Sequence, residues 1–150
     1  MILFLIVLQG IIGWYMVQSG LVNDVTVSHY RLSLHLSGAI LILSILFWKV
    51  KNLKEEKNKK FFALSKENIP YILLTLLIFI QVIFGALVSG LDAGKIYQTW
   101  PLMGDNFFPD DSSVDNFHSI VDLSNHSIVQ FYHRNIAYLI SLYIIFLALK

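Results

Sequence analysis

Four apolar runs, each about as long as one membrane-spanning helix, constrain the fold of this chain more than any other feature. They cover residues 1–19, 30–48, 69–89 and 127–149. A helix of about 20 residues spans the hydrocarbon layer of a bilayer, and lipid offers no partner to an open backbone. Of the 150 residues, 56% are hydrophobic and only 14% are charged, which is unusually apolar for a soluble domain. We therefore predict an all-α integral membrane protein with four transmembrane helices.

The charged residues predict which ends of these helices face the cytoplasm. Residues 49–68 carry seven lysines and three glutamates, whereas residues 92–127 carry six aspartates and a single lysine. Because lysine and arginine are enriched in cytoplasmic loops, residues 49–68 are predicted to be a cytoplasmic loop that also touches anionic lipid. Residues 20–29 and 90–126 are then outer loops, and both termini face the cytoplasm. The absence of cysteine excludes disulfides, iron–sulfur clusters and thiolate metal sites.

A unit consisting of an apolar helix, an outer loop and a histidine-bearing helix occurs twice. The first copy begins with "LIVLQGIIGWYMVQSGL" and the second with "LIFIQVIFGALVSGL". In both, a glutamine precedes a glycine by four residues, giving the pairs Gln9 and Gly13, and Gln81 and Gly85. Residues four apart share a helix face, glycine permits close helix approach, and an amide can bond across the interface. We interpret these four residues as helix-packing residues.

Two histidines are predicted to lie at matched depth in the membrane. His35 and His133 each follow the start of an apolar run by about five residues, roughly 7.5 Å along a helix. Each is followed four residues later by an alanine, Ala39 or Ala137, so a flat macrocycle has room on the face below the imidazole. Neutral imidazole is an axial ligand of haem iron, and helical bundles build such sites in their cores. A single membrane histidine is as often simply hydrogen-bonded to a neighbouring helix, but the repetition favours a binding role.

Two arginines accompany these histidines. Arg31 lies one turn before His35 on the same face, where its guanidinium could pair with a haem propionate. Arg134 points away from His133 around the helix and could snorkel, or reach a propionate from the side. The other histidines lie in or beside outer loops, are expected to be solvated and are assigned no role: His29, His118 and His126.

Four segments of the chain carry a resemblance to a known family. In chain order they are "QGIIGWYMVQSGL", "VSHYRLSLHLSGA", "GLDAGKIYQTWPLM" and "VQFYHRNIAYL". They resemble successive signature segments of the heme A synthase family, in its cysteine-poor alphaproteobacterial and mitochondrial branch. The third segment is the most specific of the four. General helix rules account for it only as a glycine-containing helix exit, interfacial aromatic residues and a proline turn, and they do not require this particular sequence.

The resemblance implies an enzyme of eight helices in two similar four-helix bundles, each binding a haem between paired histidines. Such an enzyme oxidises the C8 methyl of haem O to a formyl group, giving haem A for cytochrome oxidase. This chain matches helices three to six, so we expect a fragment, half of the pseudo-symmetric architecture. His35 and His133 would each give one axial ligand to haem iron, with haem b as cofactor and Arg31 and Arg134 as further cofactor-binding residues.

No catalytic residue is predicted in this chain. The glutamate of the family motif E-x-x-H-R lies outside the matched segments. All three glutamates here, Glu55, Glu56 and Glu67, fall in the lysine-rich loop. Asp92 lies beside the outer interface, and we expect it to have a structural role at the end of a helix rather than a catalytic role.

Two other functions remain open from the sequence. A b-type electron-transfer module would place His35 and His133 opposite each other across one four-helix bundle. A non-catalytic remnant or assembly subunit, from a split or truncated gene, would require a second fragment. The candidate partners are membrane lipid, haem O, haem O synthase, a complementary fragment and a second copy of the chain, with no nucleic acid. A bacterial inner membrane is expected rather than the mitochondrial inner membrane.

Overall fold

The computed structural model of this protein is all-α and describes residues 2–20, 27–54, 64–112 and 117–150. Within these ranges, five α-helices follow one another: α1 (Ile2–Gly20), α2 (His29–Lys54), α3 (Ile69–Gly90), α4 (Phe117–Val121) and α5 (His126–Ala148). A short 3-10 turn, Ala93–Lys95, follows α3. Most of the predicted outer loop 20–29 and the centre of the lysine-rich loop, with Glu55 and Glu56, lie outside the described residues.

The long helices have the length and composition of membrane spans. Within the described residues, three of them qualify: α2 over His29–Leu53, α3 and α5. Helix α1 is also apolar over Ile2–Gln18 but is shorter. Large apolar side chains such as Phe47 and Leu142 are exposed along these helices, as expected of surfaces that meet lipid or other helices. The predicted fold class, an all-α membrane protein, is confirmed.

The long helices pack as antiparallel neighbours in the order α1, α2, α3, α5. The hydroxyl of Ser33 on α2 donates to the carbonyl of Ile83 on α3 at 3.2 Å. At the opposite end of α3, the hydroxyl of Tyr143 on α5 donates to the carbonyl of Pro70 at 3.2 Å. The start of α2 and the start of α5 therefore lie at the same end of the molecule as the end of α3. We call this the histidine end.

The best-buried part of the described chain lies at the histidine end, where residues 91–112 fold back over the start of α5. We call residues 91–112 the cap segment. Asn125 caps the start of helix α5, and its side chain accepts hydrogen bonds from the backbone N–H groups of Ser127 and Ile128. The side chains that are almost fully buried there come from both the cap segment and this first turn: Ala93, Met103, Pro109, Ile128 and Val129. Part of the predicted outer loop is thus a packed structure, because it carries apolar side chains of its own.

Candidate functional site

His35 is held against α1 by a glutamine and a glycine. The side-chain nitrogen of Gln9 lies 3.0 Å from Nδ1 of His35 and donates to the backbone carbonyl of the same residue at 2.5 Å. One turn further along α1, a Cβ at Gly13 would lie only 2.8 Å from Cε1 of the ring. The half-buried imidazole therefore occupies space that only glycine leaves open on α1.

His133 is held against α3 in the same way. The side-chain nitrogen of Gln81 lies 3.1 Å from Nδ1 of His133 and 3.4 Å from Nε2, and it donates to the carbonyl of His133 at 3.1 Å. A Cβ at Gly85 would lie 3.2 Å from Cε1 of this ring. The same set of glutamine, glycine and histidine thus occurs in both helix pairs. The glutamines and glycines do meet a neighbouring helix, as the sequence suggested, but what they contact there is the histidine.

The two imidazoles belong to different helix pairs. His35 lies near the end of the second turn of α2 and contacts α1, whereas His133 lies at the end of the second turn of α5 and contacts α3. Their hydrogen-bond partners, Gln9 and Gln81, are on separate helices. This arrangement favours two separate sites over one site shared by both histidines.

The two arginines have different surroundings. The guanidinium of Arg31 lies over the ring of Tyr15 on α1, with its carbon 5.0 Å from the ring centre, a cation–π contact. Arg134 donates to backbone carbonyls of the cap segment, at Tyr97, at Thr99 (2.7 Å) and at Leu102 (3.4 Å). The structure thus gives Arg134 a role that the sequence did not predict, anchoring the cap segment to α5.

Gln130 is a second anchor of the cap segment, and the sequence analysis missed it. Its buried side chain accepts from the N–H of Tyr97 at 3.2 Å and donates to the carbonyls of Tyr97 (2.9 Å) and Gly94 (3.4 Å). Gln130, His133 and Arg134 have the i, i+3, i+4 spacing of one helix face, which is the signal that could have identified it. The cap segment therefore covers the turn of α5 that precedes His133.

A carboxylate network ties the other side of the cap segment to α5. Asp111 accepts hydrogen bonds from the hydroxyl of Tyr97 at 2.9 Å and from the hydroxyl of Ser127 at 2.6 Å. Burial would raise the pKa of Asp111, but the hydrogen bonds from Ser127 and Tyr97 outweigh it and hold the pKa below its ordinary value. Burial, together with the neighbouring carboxylate, raises the pKa of the Tyr97 hydroxyl.

Asp92 lies just beyond the end of α3, where its backbone adopts the left-handed conformation with φ 53°. Its exposed carboxylate accepts a hydrogen bond from Lys95 at 2.7 Å, and that hydrogen bond, with the charge of Lys95, lowers its pKa. A helix-end role, as the sequence suggested, accounts for these contacts.

The donor set fits haem iron better than a bare metal ion. Within the described residues, no group of three or more histidine, aspartate or glutamate side chains could hold a metal ion, so the imidazoles stand singly. Iron in a porphyrin already has four ring nitrogens as ligands and needs only axial donors, for which a neutral imidazole is suited. Gly13 and Gly85 leave the space that each imidazole itself occupies, and the side-chain oxygen of Gln81 is buried without a hydrogen-bond partner in the described structure.

These features define a multi-pass helical membrane protein that presents one imidazole from each of two helix pairs near one end of the helices. The match to family models identifies it further. The chain belongs to the COX15-CtaA family of cytochrome oxidase assembly proteins, whose model matches residues 1–150. The family resemblance seen in the sequence is thereby confirmed.

Individual relatives are named heme A synthase. The chain is 46% identical to that of Pelagibacter ubique, with 97% of this chain and 43% of the relative aligned. It is 42% identical to that of Rickettsia bellii, with 99% of this chain and 45% of the relative aligned. It is also 42% identical to that of a Wolbachia strain, with 89% of this chain and 40% of the relative aligned. The chain thus spans less than half the length of these relatives. No solved structure matches it.

Proposed function

We propose that this chain serves a heme A synthase, the enzyme that oxidises the C8 methyl of haem O to a formyl group and so makes haem A for cytochrome oxidase. The observation that carries the proposal is the duplicated set of glutamine, glycine and histidine, found in a chain of this family. The relatives that it resembles along nearly its whole length are named heme A synthase. Haem O is the substrate and haem b the resident cofactor.

In this proposal His35 and His133 would each hold a different haem iron through the imidazole. Arg31 would pair with a propionate at the α1–α2 site, and Arg134 would do so at the α3–α5 site in addition to anchoring the cap segment. When bound, haem iron would supply the one-electron redox chemistry, and the helices of this chain would orient it and exclude water from its face. Asp92 and Asp111 have partners in or beside the cap segment, so we assign neither of them a catalytic role.

The proposed setting is the inner membrane of a bacterium. The lysine-rich loop lies in the cytoplasm by the distribution of basic residues, which puts both termini there and the histidine end on the outer side. Membrane lipid surrounds the long helices. Because haem O is poorly soluble in water, a haem O synthase that delivers it within the membrane is the expected partner.

The test is a reduced-minus-oxidised absorbance spectrum of membranes containing the full chain, measured with His35→Ala, His133→Ala and the double variant. His118→Ala, a change at an exposed histidine of α4, is the matched control. A low-spin haem signal that falls partly in each single variant and disappears in the double variant supports two separate sites. A signal that either single variant abolishes indicates one haem shared by both histidines, the electron-transfer alternative, and contradicts the proposal.

Haem A formation is tested separately, since this chain spans less than half of its relatives. The variants are placed in a relative of full length, at the residues aligned with His35 and His133, and haem A is measured in extracted membranes by chromatography. Loss of haem A with haem O accumulating is expected. Undiminished haem A in both variants would contradict the proposed role of these histidines.

A further inference from the structure

The side-chain amides of Gln9 and Gln81 do more than fill a helix interface. Each amide nitrogen has two hydrogens and lies within hydrogen-bond distance of the backbone carbonyl and the Nδ1 atom of one histidine. The amide nitrogen of Gln81 is also 3.4 Å from Nε2 of His133, further than from Nδ1. Holding a residue at both its main chain and its ring fixes the ring relative to the helix. Random packing of a glutamine against a helix would not produce this pair of contacts twice.

The contact favours one of the two positions of the ring proton. An amide N–H can only donate, so the Nδ1 atom that faces it acts as an acceptor, and the proton of the neutral imidazole is then on Nε2. A neutral imidazole that binds iron through Nε2 must instead carry its proton on Nδ1, where it needs an acceptor. The tautomer that the amide nitrogen selects is therefore not the one that binds iron through Nε2.

The amide can supply the required acceptor itself. Half a rotation about its last side-chain bond exchanges nitrogen and oxygen, so the oxygen would face Nδ1 and the hydrogen bond to the histidine carbonyl would be given up. In the present orientation the side-chain oxygen of Gln81 is buried and, among the described residues, has no hydrogen-bond partner. A buried acceptor of this kind is the group that a proton on Nδ1 of His133 would satisfy.

We propose that Gln9 and Gln81 are positioning residues that set the tautomers of His35 and His133, donating to Nδ1 in the free chain and accepting from Nδ1–H when iron binds. Each amide thus remains a hydrogen-bond partner of Nδ1 in both states, which neither an apolar side chain nor a carboxylate can do. The iron-bound half of this inference rests on the proposed function, whereas the half that concerns the free chain does not.

The first test uses the full chain without haem, labelled with ¹⁵N histidine in detergent micelles, and reads each tautomer from the ring nitrogen shifts. Single His35→Ala and His133→Ala variants assign the signals. In the wild-type chain we expect His35 and His133 to carry the proton on Nε2. Gln9→Met should leave His35 as a mixture of the two tautomers. Gln9→Glu should move the proton of His35 to Nδ1. Gln81 variants should act in the same way on His133 alone.

Gln18→Met is the matched control, because Gln18 is an exposed glutamine of the same helix as Gln9. It should leave the shifts of both histidines unchanged. Tautomers that are the same in wild type, Gln9→Met and Gln81→Met would overturn the inference whether or not the chain binds haem.

The second test titrates the same variants with haem b, added as hemin, and follows the low-spin absorbance. We expect Gln9→Met and Gln81→Met to weaken binding at their own site by about 10- to 100-fold, the usual effect of removing a partner of a metal-bound histidine. The glutamate variants, which retain an acceptor for Nδ1–H, should restore binding. Equal loss in the methionine and glutamate variants would indicate packing alone and would overturn the iron-bound half. A wild-type chain that takes up no haem would contradict the proposed function and, with it, the inferred role of the two glutamines in the iron-bound state. The inferred role of the glutamines in the chain without haem would still be decided by the tautomer measurement.

Discussion

Gly13 and His35 are in direct contact across the α1–α2 interface, with the imidazole lying where any larger residue would place its Cβ. The Cβ of an alanine at position 13 would come 2.8 Å from Cε1 of His35, a distance that real Cβ atoms essentially never show. The ring cannot move aside without losing its contact with Gln9. This glycine therefore sets the position of the imidazole as well as the helix interface.

Gly13→Ala is expected to weaken haem binding at the α1–α2 site without unfolding the helices, because the atom that must move is the end of a side chain. Gly85→Ala should have a smaller effect at the α3–α5 site, since its Cβ would lie 3.2 Å from Cε1 of His133. Hemin titration measures both, and circular dichroism checks helix content. Gly10→Ala, where a Cβ would have no neighbour within 4 Å, is the control on the same helix. Equal haem binding in Gly10→Ala and Gly13→Ala would show that the contact does not matter.

Gly90→Ala is expected to destabilise the fold itself. A Cβ at Gly90 would lie 2.7 Å from the Cα of His29, so the end of α3 and the start of α2 would have to separate. Overpacking of this kind costs about 1–3 kcal/mol. Thermal unfolding in detergent, followed by circular dichroism, should show a lower midpoint than for wild type and for Gly10→Ala. An unchanged midpoint would mean that the two helix ends move apart at little cost.

Arg134→Met is expected to loosen the cap segment by removing the guanidinium that donates to the carbonyls of Tyr97, Thr99 and Leu102. Hydrogen bonds to a charged group contribute about 1.5–3 kcal/mol each, so losing one should speed local opening roughly tenfold or more. Trypsin cleavage after Lys95, timed on native protein, measures that opening. Arg31→Met is the control, because Arg31 stacks on Tyr15 of α1. Cleavage at the same rate in both variants would argue that Gln130 and Asp111 hold the cap segment without Arg134.

Acid is expected to loosen the same segment through Asp111. Its pKa is lower in the folded protein than in the unfolded chain, so its stabilising effect is fully present above the ordinary aspartate pKa of about 3.9. That effect is lost as the pH falls through the lowered pKa of the folded state, where protonation weakens the hydrogen bonds from Ser127 and Tyr97. Hydrogen exchange of residues 97–111, corrected for intrinsic rates between about pH 3 and 7, measures the change.

Asp111→Asn supplies the comparison for the acid experiment. The variant should exchange faster than wild type near neutral pH and should lack the additional acceleration below about pH 4. Parallel pH profiles in the two proteins would assign the acid effect to another group. Asp92→Asn should behave like wild type in this region, because Asp92 is exposed and pairs with Lys95 outside the network.

The separate helix pairs also bear on which function is favoured. A single haem held by both histidines would require His35 and His133 to approach each other, yet each ring contacts a different helix, α1 or α3. The family match, over residues 1–150, is to cytochrome oxidase assembly proteins. We therefore favour heme A synthase over the single-haem electron-transfer module.

Much of the fold could be predicted because it depends on local properties of the chain. Helix α3 was predicted over 69–89 and extends over Ile69–Gly90, because an apolar run of that length in lipid has no alternative to intrahelical hydrogen bonds. The cap segment was predicted only as an outer loop, since its order depends on Gln130 and Arg134, which lie more than 30 residues further along the chain than Tyr97. No local pattern links a loop carbonyl to a side chain at that separation.

The order of residues is enough to establish that this protein is built of long apolar helices, and that Gln9 and Gly13, like Gln81 and Gly85, share one face of a helix. Both conclusions follow from helix geometry and from the absence of hydrogen-bond partners in lipid. What those faces meet depends on how the helices pack: His35 for the first pair and His133 for the second. Helix periodicity orders residues three or four positions apart, whereas Gln81 and His133, 52 positions apart, meet only through the packing of α3 against α5.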